Sequence, residues 1–266
     1  MSKRGEIWMK ALACDGQVVA GFTPSVEVVD AQCNGLPARY INVTQDSNNA
    51  FPRARNGEVG LLEGWNVAKA VNEVVERDKD SQSKSLIVAI IDVPSQAYGR
   101  REEAYGIHLS LAAAANAYAL ARNAGHPVLG LIVGKAMSGG FLAHGYQASR
   151  LIALDDEQCS VHAMGKASAA KVTLRTIDQL ESLAAEHPPM AYDINNYNTL
   201  GLLWEMVTVE NADQPTNQDI DRIRSLFSAA LEDINNKGND WSYRLQGENR
   251  RATRDIREQM QKAWLD

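Results

Sequence analysis

The run Val128-Leu129-Gly130-Leu131-Ile132-Val133, closed by Pro127 and Gly134, carries no polar side chain. As a strand it must be covered on both faces, the pattern of a strand at the centre of a layered α/β domain. A second such run, Leu86 to Val93, stops at Pro94. Between the two, Ile107, Leu111, Ala114, Tyr118 and Ala121 step along one face of a helix predicted from about Glu102 to Asn123, with Gly125 placed as its C-cap. The order strand, loop, helix, strand, glycine turn, helix, strand predicts parallel βαβ units with right-handed crossovers, and repeated turns of this kind can coil into a β-α superhelix.

The segment Gly134-Lys135-Ala136-Met137-Ser138-Gly139-Gly140 is too glycine-rich to continue the Val128–Val133 strand, which is expected to stop at Gly134, and Phe141-Leu142-Ala143 reads as the start of a helix. Gly139 and Gly140 then fall at a helix N-terminus, where the first amides lack partners and the macrodipole is positive. A developing negative oxygen is favoured there, which is the physics of an oxyanion hole. Paired glycines equally serve to let a helix pack closely on a strand. Leu151 to Leu154 reads as a further short strand, followed by Cys159-Ser160-Val161-His162-Ala163-Met164-Gly165-Lys166.

Upstream, Ser25–Ala31 and Ala38–Val43 are β-rich runs separated by Asn34-Gly35, which predicts an antiparallel hairpin. A polar loop with Arg53 and Arg55 precedes a helix over Leu61–Arg77, whose stripe is Trp65, Ala68, Val71 and Val75. The loop from Ser95 to Arg101 lies at a strand's C-terminal end, where ligands of α/β sheets collect. With 266 residues and 45% hydrophobic content, the sequence suits a single domain, residues 1–266, with a core at about 26–209 and a helical extension at about 216–266. A net charge of -6 argues against nucleic acid or an anionic membrane as partner. Cys14, Cys33 and Cys159 form neither a disulfide framework nor a zinc site, and no apolar run approaches the roughly 18 residues of a membrane span, so a cytoplasmic protein is expected. His108, His126, His144 and His187 show no ligand spacing, and no metal is expected.

The run Asp92-Val93-Pro94, the helix to Gly125-His126-Pro127 and the turn from Gly134 to Gly140 together resemble the crotonase superfamily, in particular the alpha-type half of acyl-CoA carboxyltransferases. The stretch Leu200 to Val207 is similar to the segment beyond the active-site elements in that superfamily. Phe51-Pro52-Arg53-Ala54-Arg55-Asn56-Gly57-Glu58-Val59-Gly60 and His162-Ala163-Met164-Gly165-Lys166 resemble the gamma subunit of biotin-independent malonate decarboxylase more closely. The resemblance covers about Val26 to Val209. It implies a ClpP/crotonase-like β-β-α superhelix with peripheral helices, paired with a homologous beta subunit. It further implies decarboxylation of a malonyl thioester, carried on a phosphopantetheine-type thiol of an acyl-carrier subunit, with no cofactor bound by this chain. Gly139 and Gly140 are then the expected oxyanion donors, with Met137, Ser138, Gly165 and Lys166 against the substrate. His162, whose imidazole titrates near working pH, is either the proton donor or a packed or capping histidine, and Lys166 either pairs the malonyl carboxylate or stands exposed at a helix start. Biotin-dependent relatives carry Ser-Pro-Glu-Gly where this chain has His162-Ala163-Met164-Gly165, so their glutamate has no counterpart here.

Two other readings share the fold: the alpha half of a biotin-dependent carboxyltransferase, and a non-catalytic scaffold for the beta subunit. Towards the C-terminus, Thr216 begins a helix with Ile220, Ile223, Phe227, Leu231 and Ile234 on one face. Beyond it, Ile256, Met260 and Trp264 form a thin apolar seam among arginines, which packs on its own domain or on the partner subunit.

Overall fold

The computed structural model describes residues 3–265. In chain order its helices and strands are α1 (Arg4–Leu12), β1 (Gln17–Val18), β2 (Val26–Cys33), β3 (Leu36–Val43), α2 (Leu61–Arg77), β4 (Leu86–Val93), α3 (Arg100–Ala104), α4 (Ile107–Asn123), β5 (Val128–Met137), α5 (Ser138–Ala143), β6 (Arg150–Leu154), β7 (Ser160–His162), α6 (Lys166–Thr173), α7 (Ile177–Glu186), α8 (Ile194–Thr199), β8 (Glu205–Val207), α9 (Asn217–Lys237) and α10 (Arg251–Leu265). The sheet runs β1-β2-β3-β4-β5-β6-β8, with β7 paired to β5 off this path. It is antiparallel through the β1-β2-β3 ribbon and parallel from β3 onward.

Strands β3 to β6 lie side by side in sequence order, so the chain advances in one direction and never doubles back. Crossovers of one hand then set their helices on one side, and α2 and α4 do pack against each other. This is the coiled β-α superhelix expected from the sequence. At the crossing of the two helices, a Cβ on Gly64 would sit 2.2 Å from Ser110 Oγ, while that hydroxyl donates to the Leu61 carbonyl at 2.8 Å. Glycine there sets the interhelical approach. At the hairpin turn, Asn34 (φ 52°) and Gly35 (φ 83°) both take the left-handed conformation that a tight two-residue loop demands.

Three expectations change. The helix expected from Glu102 to Asn123 is two, α3 and α4, because Gly106 at φ 80° reverses the backbone between them. The strand expected to stop at Gly134 continues to Met137. The core also exceeds 26–209: Trp8, Met9 and Leu12 of α1 and Ile223, Phe227 and Ile234 of α9 belong to the main apolar cluster. Arg4, 1% exposed, fixes α1 through ion pairs to Asp156 at 2.6 Å and Asp213 at 2.7 Å. Residues 166–186 form α6, which Lys166 opens, and α7, around a small separate cluster of Ala169, Ala170 and Leu180. In contrast, α10 has no buried side chain among its described ones, and Ile256, Met260 and Trp264 stand exposed.

Candidate active site

The site is built on the second half of β5. Over Leu129–Ile132 this strand pairs with β6, and over Lys135–Met137 it pairs instead with β7. The transfer happens at Gly134, where a Cβ would lie 2.3 Å from Asp92 Oδ1; the same carboxylate oxygen accepts the Lys135 N–H at 3.0 Å. Gly134 is therefore a point of close approach that carries the strand past Asp92, which is why it does not end the strand. The extension sets Met137 beside His162 and the turn after it beside Ala163.

Ser138 follows with φ 59°, a non-glycine residue in the left-handed region, and its Oγ donates to the Ala163 carbonyl at 2.6 Å. Such a conformation costs on the order of 1 kcal/mol and persists only where its surroundings fix it. The two glycines then separate in role. Gly139 is half-buried and donates its N–H to Gln96 Oε1 at 2.8 Å. Gly140 is buried, and a Cβ there would stand 2.4 Å from the Ser95 carbonyl oxygen and 2.6 Å from Val93 Cγ1. It is the residue that lets α5 touch the loop after β4. With six residues, α5 offers little macrodipole, so any anion binding here falls to individual donors rather than to the helix. Beneath α5, buried His144 closes its end: Nε2 donates to the Ile90 carbonyl at 2.9 Å, which leaves Nδ1 to accept from Tyr118 OH at 3.0 Å. Burial pushes this imidazole down to about 4.

His162 stands at the end of β7 with its ring stacked on Tyr192, centroids 3.9 Å apart and planes at 13°. Its Nδ1 lies 3.0 Å from the Met164 carbonyl oxygen and 3.3 Å from the Met164 nitrogen. Burial lowers its pKa, opposed by the bond to Met164, so it is a neutral imidazole at neutral pH and not one poised at its own midpoint. Lys166 starts α6 with its ammonium 2.7 Å from Glu181 Oε1 and 5.5 Å from the Tyr192 ring centre. Its charge is already engaged. Met137, Gly165 and Lys166 share a cavity of about 460 Å³ with Lys135, Glu157 and Tyr192. Ser138, Gly139, Gly140 and His162 are outside that lining. Arg55 donates to the Asn49 carbonyl at 3.0 Å, and Arg53 is exposed with no ion pair among the described residues.

Sequence reasoning marked the Ser95–Arg101 loop but chose no residue in it, and Gln96 is the side chain that reaches the turn. Tyr192 and Lys135 carried no signal: one is a lone aromatic, the other a lysine beside a glycine that reads as a strand break.

The fold is of the carboxyltransferase, crotonase-like kind, and the chain superposes on transcarboxylase 12S with a TM-score of 0.62 at 19% identity, covering 86% of this chain and 39% of that one. Within that class it belongs to the malonate decarboxylase gamma subunit family, MdcE, whose model matches residues 54–264. A Pseudomonas malonate decarboxylase hetero-tetramer in complex with coenzyme A holds a chain 53% identical to this one, TM-score 0.95, covering 98% of this chain and 99% of that one. A Pseudomonas MdcD–MdcE hetero-dimer gives 52%, 0.91, 99% and 100%. The malonyl-S-ACP:biotin-protein carboxyltransferase MADD of Malonomonas rubra is 33% identical over 190 residues. That match covers 70% of this chain, and the chain spans 62% of the length of that curated relative.

Proposed function

We propose that this chain is one half of a malonyl-thioester decarboxylase. Paired with a homologous beta subunit, it converts a malonyl group on the thiol arm of an acyl-carrier subunit to the acetyl thioester and carbon dioxide. What carries the reading is the end-to-end likeness to malonate decarboxylase chains at 52–53% identity, stronger in identity and reach than the 33% likeness to a biotin-protein carboxyltransferase. The chain itself binds no cofactor in this reading, since the carrier supplies the thiol. A reducing cytoplasm suits Cys14, Cys33 and Cys159, all free, and no described helix is long and apolar enough to cross a membrane.

Decarboxylation places negative charge on the thioester oxygen, so the catalyst must offer donors to that oxygen and hold the breaking bond aligned with the carbonyl π-system. The turn from Ser138 to Gly140, with the Gln96 side chain held on it, is this chain's contribution to the first task, rigidly set by Ser138 Oγ on Ala163 and by Gly140 on Ser95. His162, with its Nδ1–H held by the Met164 carbonyl, passes a proton from water to the enolate carbon through Nε2. Met137, Gly165 and Lys166 wall the cavity beside the turn, with Lys135 as the cation there that has no ion pair among the described residues. Because the Malonomonas relative is named for transfer to biotin-protein, carboxyl transfer to biotin is the second reading. The test is carbon dioxide release from malonyl-carrier by the reconstituted pair, with and without a biotinylated acceptor. Release independent of biotin supports the decarboxylase, whereas strict dependence on biotin selects the transferase.

A further inference from the structure

The amide that the glycine turn should offer to substrate is already bonded to Gln96. Three contacts make this arrangement rigid. On one side of Gln96 the Ser95 carbonyl accepts from Val59 N at 3.0 Å, and on the other Ala97 N donates to the Val59 carbonyl at 2.8 Å. Gly140 then lies directly against that Ser95 carbonyl, so loop and turn cannot shift independently. Ala97, 1% exposed, is locked in a small apolar cluster with Ala54, Leu61 and Ile107. A carboxamide is planar with its oxygen and nitrogen on opposite branches, so pinning Oε1 on Gly139 N–H also fixes Nε2. Since a backbone N–H can only donate, Oε1 must be the atom that faces it, which settles the orientation of the amide. Among the described residues Nε2 has no partner, and Gln96 is only half-buried.

We infer that Gln96 is a catalytic residue: its Nε2–H is the donor that meets the thioester oxygen, and the Gly139 amide acts by holding and polarising the Gln96 carbonyl. A hydrogen bond accepted at Oε1 strengthens the donor at the other end of the same amide. Using the bare Gly139 N–H instead would first require breaking its bond to Gln96, before any gain from substrate. For its substrate the inference rests on the decarboxylase reading. As the bond from Cα to the carboxylate breaks, its electron pair forms the enolate double bond. The carbonyl π pair moves to the thioester oxygen, carbon dioxide leaves, and a proton from a general acid or water then completes the acetyl group. Gln96 donates a hydrogen bond throughout and stays neutral.

The experiment uses the chain reconstituted with its beta partner, wild type against Gln96→Ala and Gln96→Glu, each checked for complex formation. Carbon dioxide release from malonyl-carrier is followed beside deuterium uptake at Cα of acetyl-carrier, which needs the same enolate without decarboxylation. Both variants should lose about a hundredfold to a thousandfold in kcat and in exchange with little change in KM, the scale of one lost oxyanion donor. Glutamate still accepts from Gly139 N–H, so a Gln96→Glu pair within threefold of wild type would reduce Gln96 to a structural cap. A Gln96→Ala pair as fast as wild type, or faster, would make it a plug over the amide. Either result overturns the inference. A wild-type pair that exchanges deuterium without releasing carbon dioxide removes the decarboxylase reading yet still decides Gln96 through its exchange ratio. A wild-type pair that does neither overturns both.

Discussion

At the scale of single residues, adjacent glycines do different work. A Cβ on Gly139 would lie 3.4 Å from Gln96 Oε1, ordinary contact with a side chain that can yield, whereas one on Gly140 meets backbone at 2.4 Å. Gly139→Ala should therefore fold with near-native stability, and Gly140→Ala should be destabilised by about 1–3 kcal/mol, the range for overpacking. Equal urea midpoints for the two variants would contradict this. The sequence marked both glycines but could not rank them, because the decisive atom belongs to Ser95, far along the chain. A second residue-scale consequence concerns His144, whose folded pKa of about 4 lies below the ordinary value of about 6.5. The unfolded chain binds the extra proton first, so the stability that the neutral ring contributes is complete above pH 6.5. It drains as pH falls from there to 4, by roughly 3 kcal/mol at about 1.4 kcal/mol per unit. His144→Gln, whose amide nitrogen can still donate to Ile90, should lose distinctly less stability than wild type between pH 7 and 4.5 in denaturant titrations. Parallel losses would show that other groups carry the acid sensitivity.

Among the secondary elements, those with a strong apolar pattern were legible at the level of residues. The helix Leu61–Arg77 and the strand Leu86–Val93 fall where the sequence puts them, but the helix turns Val67, Ala68, Ala70, Val71 and Val74 to the core and leaves Trp65 of the expected stripe 52% exposed. Illegible were elements whose limits depend on distant partners. Gly134 looks like a breaker until Asp92 is seen in the space its missing Cβ leaves, and α1 is visible only once Arg4 finds Asp156 and Asp213. The short helices α6 and α7 bury only three apolar side chains in their own cluster, too few to imprint a period. As for α10, its seam was legible while its destination was not. Ile256, Met260 and Trp264 are 56%, 67% and 90% exposed, so the helix contributes almost nothing to the chain's own core. Removal of residues 251–266 should leave the melting temperature within a few degrees and weaken binding to the beta partner by about tenfold or more, an apolar contact of ~1.4 kcal/mol or above. Unchanged affinity in titration calorimetry would assign α10 another role.

For the whole molecule, the described residues provide one turn suited to a developing oxyanion, and of the two lysines in the cavity beside it Lys166 is paired with Glu181, which leaves Lys135 as the single unpaired cation there among the described residues. The chain alone should accordingly give no measurable carbon dioxide from malonyl-carrier, and the pair should. Turnover by the folded chain alone, at the rate of the pair, would mean the site is complete without a partner. The change of neighbours that β5 makes at Gly134 reaches further still. On one edge its first half pairs with β6 inside the core and its second half with β7, while β4 stays beside it on the other edge as far as the Val93–Ala136 pair. Substitutions around Ser160–His162 should thus shift the glycine turn while the β6-paired half keeps its register. One edge of a single strand answers to two neighbours, so sequence drift at β7 bears on the turn before it bears on the folding of the core.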